Sequence, residues 1–207
     1  KSDKFDMGLK NNSIYWYNAD PYNFEHYENL PQSWHTSFSE AEIHQGVYQY
    51  DCQTNKWSPL PERKMTIANS CIIADDNLIY LIGGNNNNQN LDGYVQAYDH
   101  RTSAWQNVPK TNNSYHNAIC CELNGKIYVS DCEVVEMYDI VAGKWEMISS
   151  RTSNFEPMRK RKKYHYTGKR MVSFKNLLWI FASIGKNKND SSFFTSIIDP
   201  YEPTSEK

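Results

Sequence analysis

The histidine and cysteine side chains are the first candidates in this chain for binding a metal ion or for catalysis. The six histidines are His26, His35, His44, His100, His116 and His165. None of them stands in a metal-ligand spacing such as H-x-H or H-E-x-x-H, and the five cysteines include no C-x-x-C pair. The sequence also lacks a glycine-rich phosphate loop and a Ser/His/Asp signature. It therefore predicts no metal, no cofactor and no catalytic residue, and we expect a chain that is not an enzyme.

The cysteine pattern and the net charge limit the compartments and the classes of partner that we expect for this chain. Cys71, Cys120 and Cys121 lie in apolar, strand-like runs, where a thiol packs as a small hydrophobic group. This usage favours the reducing cytoplasm over a disulfide framework. A formal net charge of −2 gives no field that would draw the chain to nucleic acid or to a membrane. No apolar run approaches the roughly 20 residues of a membrane helix, so we expect neither of these partners.

Two segments are candidates for binding a protein partner. Segment 18–45 is rich in aromatic residues, among them Tyr22, Trp34 and His35, and exposed Trp and Tyr often anchor interfaces. The second segment contains a dense basic run. Its candidate residues are Arg159, Lys160, Arg161, Lys162, Tyr164 and Tyr166. Such a run can recognise an acidic or phosphorylated segment, RNA or a nuclear import receptor, which leaves a nuclear location open. The alternatives are a solvated basic loop and aromatic side chains that pack back onto their own sheet.

A repeated motif identifies the elements that must position these segments. The motif is Tyr-Asp followed by Trp six residues after the Asp. Its three copies are Tyr50-Asp51 with Trp57, Tyr98-Asp99 with Trp105, and Tyr138-Asp139 with Trp145. The residues between Asp and Trp predict a turn between two antiparallel strands, in which the Asp accepts hydrogen bonds from backbone N–H groups ahead of it. Repeats of this length in a β-rich sequence are typical of propeller blades.

The strand pattern divides the chain into four units of antiparallel strands, A to D. The approximate units are 5–58, 66–108, 114–148 and 169–201, and a basic insertion occupies 149–168. Asn124-Gly125 between two apolar runs is the strongest of the predicted hairpin turns. Because direction alternates at each strand, the B–C loops and the D–A connections leave from the same end. The predicted loops 18–45, 85–93, 149–168 and 184–193 therefore lie on one face, and such variable loops usually mark a binding surface.

The second unit resembles the Kelch repeat: a strand that ends in Gly83-Gly84, then Tyr98-Asp99, then Trp105. The third unit keeps Tyr138-Asp139 and its tryptophan but lacks the double glycine. Glycines at this position permit backbone torsions and close approach that a Cβ atom would block. The resemblance implies an all-β fold, a Kelch-type β-propeller with about four blades in this sequence.

The resemblance also implies a function. Kelch propellers are protein-interaction modules, and cysteine usage and degenerate last repeats are similar to the propeller part of BTB-Kelch proteins. That similarity implies a substrate receptor for a cullin-type ubiquitin ligase, with a protein or peptide held on the variable-loop face. The alternatives are an actin-binding, cytoskeletal Kelch protein and an enzyme of the galactose oxidase type.

The number of units raises a question of closure. Four second strands are present, whereas propellers of the Kelch type usually close with more blades. A closed ring removes sheet edges, and an open stack of four would leave them exposed. We therefore expect that further blades lie outside this sequence, and a four-bladed ring is the alternative.

Overall fold

The computed structural model describes most of the predicted strands. The described residues are 6–10, 13–17, 47–61, 70–75, 77–84, 93–115, 118–131, 134–149, 165–187 and 190–198. Within these ranges the chain forms fifteen β-strands and no helix. Accordingly, the described part of the chain contains no helix that is long and apolar enough to cross a membrane. The fold is all-β, as the sequence predicts.

The strands form four antiparallel sheets, and each sheet is a meander of consecutive strands. The first sheet consists of β1 (Asp6–Lys10), β2 (Ser13–Tyr17), β3 (Val47–Asp51) and β4 (Lys56–Pro59). The second consists of β5 (Cys71–Ala74), β6 (Leu78–Ile82), β7 (Val95–Asp99) and β8 (Ala104–Asn107). The third consists of β9 (Ile119–Leu123), β10 (Lys126–Ser130), β11 (Val135–Asp139) and β12 (Lys144–Ser149). The fourth has three described strands, β13 (His165–Phe174), β14 (Leu177–Asn187) and β15 (Asp190–Ile198).

The second sheet shows why these sequences form blades. In β6, Ile79 and Leu81 face a core shared with the first sheet, whereas Tyr80 and Ile82 face a core shared with the third sheet. Successive side chains of a strand point to opposite faces, so a strand that is apolar at every position can bury both faces. Full burial of such side chains contributes about 1.5–3 kcal/mol each. The near-continuous apolar run of β6 therefore selects a sheet packed between two others.

The sheets are arranged in chain order around their first strands. β1 lies against β5, β5 against β9, and β9 against β13. Each first strand is thus the inner strand of its sheet, and the fourth strand lies at the outer edge. This radial arrangement of meander sheets is that of a partial β-propeller.

The prediction of a loop at 184–193 is wrong. β14 continues to Asn187 and β15 begins at Asp190, with Ile184 opposite Ser192 and Ser183 opposite Phe193. The polar residues of this stretch suggested a loop, but the antiparallel hydrogen-bond ladder continues through them and the hairpin is longer than predicted. Similarly, β13 begins at His165, so the last residues of the predicted insertion 149–168 are part of a strand.

The turns between the third and fourth strands of the first three sheets share one design. In each turn the Asp that ends the third strand accepts backbone N–H groups of the next residues. The bonds run from Gln53 to Asp51 (2.8 Å), from Arg101 to Asp99 (2.8 Å) and from Ala142 to Asp139 (2.9 Å). The fourth residue after each Asp has a left-handed backbone, and these residues are Asn55, Ser103 and Gly143. The repeat in sequence is thus a repeated Asx turn.

The tryptophan of the motif connects neighbouring sheets. Tyr98 and Trp105 lie opposite each other, with ring centroids 5.3 Å apart. The indole Nε1–H of Trp105 donates to the carbonyl of Pro61, just beyond the last strand of the first sheet (2.7 Å). Trp145 donates in the same way to Pro109, beyond the second sheet (2.8 Å). Each such tryptophan therefore combines aromatic packing within its sheet with a polar bond to the preceding one.

Candidate functional site

The variable-loop face is the end of the sheets at which each second strand ends and the third strand begins. Strand pairing defines this end: Tyr17 lies opposite Val47, Ile82 opposite Val95, Ser130 opposite Val135, and Ser149 also opposite Val135. The chain between these ends includes the predicted loops 18–45 and 85–93, and the segment after Ser149 starts from the same end. The long connections that leave different sheets therefore begin on one face, as the antiparallel strand order requires.

Gly83 and Gly84 form a junction between the second and third sheets on this face. Both have positive φ, 69° and 100°. The N–H of Gly84 donates to the carbonyl of Tyr115 (2.6 Å), and the N–H of Gly83 donates to Tyr94 (2.9 Å). A Cβ atom on Gly83 would lie 2.4 Å from the Tyr115 carbonyl oxygen. Glycine is required here both by backbone conformation and by the close approach of the segment that enters the third sheet.

A second close approach lies beside the first. Gly93 has φ 68°, and a Cβ atom on it would lie 2.4 Å from the carbonyl oxygen of Thr111. The N–H of Thr111 donates to the Gly93 carbonyl (3.0 Å), and its hydroxyl donates to the Asn113 carbonyl (2.7 Å). The segment 111–115 is thus attached to the second sheet at both ends.

The carboxylate of Glu136 holds the same segment from the side of the third sheet. Glu136 is fully buried in β11. Its Oε2 accepts the backbone N–H and the side-chain amide of Asn112 (2.8 and 2.9 Å). Its Oε1 accepts the backbone N–H of Asn113 (2.8 Å), the amide of that residue and the hydroxyl of Tyr115 (3.0 Å). Five uncharged donors therefore satisfy one buried carboxylate, which is the arrangement that makes a buried charge tolerable.

Burial keeps the phenol of Tyr115 a donor in this cluster. Tyr115 is 1% exposed. Burial, and then the neighbouring Glu136 carboxylate, raise the pKa of Tyr115 well above its usual value. The hydroxyl is therefore protonated at all physiological pH values, and it acts as a fixed structural donor rather than as an acid or a base.

The next connection joins the third and fourth sheets. In the short loop after β10, the carboxylate of Asp131 accepts the backbone N–H of Val134 (3.1 Å). The ammonium of Lys169, in β13, donates to the backbone carbonyl of Asp131 (3.0 Å). Hydrogen bonds from backbone and buried polar groups thus connect the described part of the variable-loop face from the second sheet to the fourth. These hydrogen bonds form the base of the variable-loop face, at the end where the connections 18–45 and 85–93 begin.

The motif residues and the predicted partner-binding residues occupy different places. Asp51, Asp99 and Asp139 lie in the turns at the end opposite the variable-loop face, whereas Gly83 and Gly84 lie on it. The predicted partner-binding residues outside the described ranges are Tyr22, Trp34, His35, Arg159, Lys160, Arg161, Lys162 and Tyr164. Tyr166 lies in β13, opposite Ile184. The role of these residues in binding therefore stays a prediction.

Histidine and cysteine side chains form no metal centre in the described part of the chain, where no three His, Cys, Asp or Glu residues are grouped to hold an ion. Partial desolvation lowers the pKa of His100, and the neighbouring Asp99 carboxylate opposes this shift without reversing it. The His100 ring packs edge-on against Tyr98, with ring centroids 5.1 Å apart. Burial also raises the pKa of the Cys121 thiol, which favours the unreactive protonated form. The His100 ring and the Cys121 thiol therefore contribute to packing.

The sequence interpretation missed the residues that build the base of the face. Gly93, Thr111, Tyr115 and Glu136 belong to no local motif, because their partners lie as far as 24 residues apart along the chain. One signal was available for Glu136: a charged residue inside the run Val135–Asp139, two positions before the motif tyrosine. A carboxylate at that position in an otherwise buried strand requires donors from elsewhere.

Comparison with known proteins gives one motif match and several partial relatives. Residues 67–112 match the Kelch motif. An F-box/kelch-repeat protein of Arabidopsis thaliana is 26% identical over 99 residues, which are 46% of this chain and 25% of that protein. A second such protein from the same plant is 30% identical over 105 residues, 48% of this chain and 27% of its own length. Kelch-like protein 22 of Rattus norvegicus is 32% identical over 83 residues, 40% of this chain and 13% of that protein.

The radial meander sheets form a partial propeller, and the matched residues include its second sheet. The match 67–112 begins just before the second sheet and ends in the segment held by Glu136. Residues 67–112 are therefore a Kelch repeat, and Kelch repeats are protein-interaction modules. The matched part of the chain spans only about an eighth to a quarter of the relatives named above.

Proposed function

We propose that this chain is a non-catalytic recognition module that holds a protein or peptide segment on its variable-loop face. The observation that carries the proposal is the construction of that face. Segments of very different length begin at one end of the sheets, above a base fixed by the glycine junctions and the Glu136 carboxylate. Binding residues are commonly found on loops that a rigid scaffold positions. The cysteine usage supports a cytoplasmic location for this activity.

The chemistry of the partner follows from the two predicted segments. Arg159–Lys162 is a cluster of cations that suits carboxylate or phosphate groups, and the aromatic residues Tyr22 and Trp34 suit an apolar anchor. We propose a partner segment that combines acidic or phosphorylated residues with an apolar side chain. In the full protein, this segment belongs to a substrate presented to a cullin-type ubiquitin ligase, as in BTB-Kelch adaptors.

The test of the binding face is a comparison of two sets of charge-removing variants. Replacing Arg159–Lys162 with Ser removes four cations from the segment that the proposal assigns to this face. The control set replaces Arg101 and Lys144 with Ser, both of them exposed cations near the opposite turns. Exposed ion pairs contribute little to stability, so both sets are expected to fold. Partners recovered from cells should be lost with the first set and kept with the second.

The adaptor role needs its own readout. Co-precipitation of a cullin with the full-length protein supports it, and the same partner recovery without a cullin contradicts it while leaving the recognition module intact. If the control set loses the partners and the first set keeps them, the binding surface is at the other end and the proposed face is wrong.

A further inference from the structure

The turn between the first two strands of the third sheet contains the one Asn-Gly pair of the sequence, Asn124-Gly125. Both residues are exposed, and both have positive φ, 53° and 73°. Leu123 lies opposite Lys126, so these two residues alone close the hairpin of β9 and β10. An atom at the Cβ position of Gly125 would meet no atom within 4 Å beyond its chain neighbours. The main-chain nitrogen that follows Asn124 is therefore sterically accessible.

An asparagine followed by a glycine can react with its own main chain. The nitrogen of the following residue loses its proton to solvent and attacks the side-chain carbonyl carbon of the asparagine. A C–N bond forms, the side-chain amide takes up a proton and leaves as ammonia, and a five-membered cyclic imide remains. Water then opens the imide at either carbonyl and gives aspartate or isoaspartate. A side chain on the following residue hinders the attack, and glycine has none.

The carboxylate of Glu122 holds the nitrogen that would act as the nucleophile. Its Oε1 accepts the N–H of Gly125 at 2.7 Å. An anion at this distance opposes the loss of the amide proton, and the hydrogen bond must break before the nitrogen can attack. Glu122 is half-buried in β9, opposite Ile127, so strand pairing keeps its carboxylate near the turn. Glu122 therefore slows the reaction that the Asn-Gly pair permits.

We propose that Asn124 is a site of spontaneous deamidation in the folded chain and that Glu122 limits its rate. Both products add a negative charge two residues after Glu122, and isoaspartate also adds a carbon atom to the main chain of the turn. The hairpin contributes Leu123 and Tyr128 to the core shared with the fourth sheet, and Ile127 to the core shared with the second. A turn that no longer fits its register therefore loosens the third sheet against both neighbours. This inference does not depend on the variable-loop face binding any partner.

Two other exposed asparagines have the same left-handed backbone and serve as controls within the chain. Asn55 has φ 55° and precedes Lys56, and Asn176 has φ 60° and precedes Leu177. Asn176 lies in the corresponding hairpin turn of the fourth sheet. Each control is followed by a residue with a side chain, so the backbone conformation is matched and the access to the nitrogen differs.

The experiment incubates the full chain at physiological temperature and neutral pH for several weeks. Peptide mass spectrometry follows each asparagine through the mass difference between an amide and an acid, and a zero-time sample corrects for conversion during digestion. We expect conversion at Asn124 to be several-fold faster than at Asn55 or Asn176. Circular dichroism verifies that the chain stays folded during the incubation.

Variants of Glu122 test the protective hydrogen bond. Glu122→Ala removes the acceptor, whereas Glu122→Gln keeps an oxygen and removes the charge. Conversion at Asn124 should therefore be fastest in Glu122→Ala, several-fold above the wild type, and intermediate in Glu122→Gln. Glu146→Gln is the control for the loss of a surface carboxylate in the same sheet and should convert at the wild-type rate. Ile127→Val removes a buried methyl group far from the amide, and it measures how much lower stability alone speeds the reaction.

Variants of Asn124 separate the chemistry from its effect on the fold. Asn124→Gly keeps the left-handed turn and has no side-chain amide to lose, so incubation should leave its Tm unchanged while that of the wild type falls. Asn124→Asp carries the new charge without the added main-chain atom. Its Tm before incubation should therefore be lowered less than that of the fully converted wild type.

Three results overturn the proposal. Conversion at Asn176 as fast as at Asn124 would show that access to the glycine nitrogen does not decide the site. A Glu122→Ala chain that converts no faster than Ile127→Val would remove Glu122 from the reaction. A folded wild-type chain that keeps Asn124 intact, while the urea-unfolded chain converts over the same period, would show that the fold blocks the reaction.

Discussion

The interface between the second and third sheets and the outer face of the fourth sheet use the same strand positions. The outer face consists of Val172, Phe174, Trp179 and Phe181, and it is largely exposed, whereas the interface is buried. Tyr80 is buried beneath the third sheet, whereas Trp179, at the corresponding position of the fourth sheet, is half-exposed. Both regions carry large apolar residues on their first two strands. The difference lies in what covers them. Ile127 and Val129 of the third sheet pack against the first region, whereas the described ranges contain no sheet that follows the fourth.

This comparison shows that each blade depends on its neighbours. A blade with both faces apolar cannot bury them alone, so its stability comes from the interfaces between sheets. The interior interfaces combine the apolar contact with hydrogen bonds. These are the bonds at the Gly83 junction, those to the Glu136 carboxylate and the one from the Trp145 indole to the Pro109 carbonyl. Position in the array, rather than residue type, decides which apolar residues are buried.

The largest expected difference is between Tyr128→Ala and Trp179→Ala. Tyr128 is fully buried, and its truncation should cost about 3–5 kcal/mol of unfolding free energy. Trp179 is half-exposed, and its truncation should cost only about 1 kcal/mol in a single copy. Urea unfolding at low micromolar concentration measures both values. Equal losses would mean that the outer face is already covered, and the comparison between the two regions would fail.

The glycine junction gives a second matched pair. Gly83→Ala introduces a Cβ atom 2.4 Å from a backbone oxygen, at positive φ. It should destabilise the fold by about 3 kcal/mol, because the left-handed backbone costs about 1–2 kcal/mol and the clash adds to it. Gly143→Ala has a similar φ but nothing within 4 Å, so it should cost only about 1 kcal/mol. Similar Tm shifts for the two variants would show that the close approach to Tyr115 is not essential.

The buried carboxylate of the interior interface can be tested with Glu136→Gln. The side-chain amide would place an NH₂ group against donors that now face an oxygen, so we expect a loss of about 2–3 kcal/mol. Glu146→Gln is the control, since that side chain is exposed and pairs with Lys144 at the surface. Chemical denaturation of both variants measures the difference in unfolding free energy. A Glu136→Gln variant as stable as the wild type would contradict the role of Glu136 in holding residues 112–115.

The smallest effect should come from the repeated turns, which are far from both regions of the comparison. Backbone N–H groups lower the pKa of Asp51 and Asp139, and the side chain of Arg101 contributes most to lowering that of Asp99. A carboxyl group with a lowered folded-state pKa stabilises the fold above its unfolded pKa, and this stabilisation is lost as pH falls through the folded pKa. Stability should therefore decrease in acid below about pH 4.

Replacing Asp51, Asp99 and Asp139 by Asn in one variant should reduce the loss of stability in acid. Asn keeps the turn but has no carboxyl group to titrate. Urea midpoints measured from neutral pH to pH 2 would show it. An unchanged acid dependence would assign the loss to other carboxyl groups.

Local chemistry accounts for the parts of the fold that could be predicted from the sequence. The Tyr-Asp and Trp repeat determined the third and fourth strands, and Asn124-Gly125 determined a hairpin, because turns depend on residues close together in the chain. The long hairpin of β14 and β15 was missed, since the continuation of a ladder through Ser and Asn is decided by the partner strand.

The base of the variable-loop face could be predicted only at Gly83 and Gly84. Glu136 and Tyr115 are joined by a hydrogen bond across the fold. The neighbouring sequence shows a charged residue inside an apolar strand, but it does not identify the donors that pair with it. The difference between Tyr128 and Trp179 was also hidden, because two similar strand positions acquire different burial only when the sheets are placed in order.

The central claim is that the end bearing the long segments is the binding end. Hydrogen-exchange footprinting of the chain, free and with a partner recovered from cells, tests it most directly. The account predicts new protection in residues 18–45, 85–93 and 150–164, with the turns at Asp51, Asp99 and Asp139 unchanged. Protection confined to those three turns would contradict it.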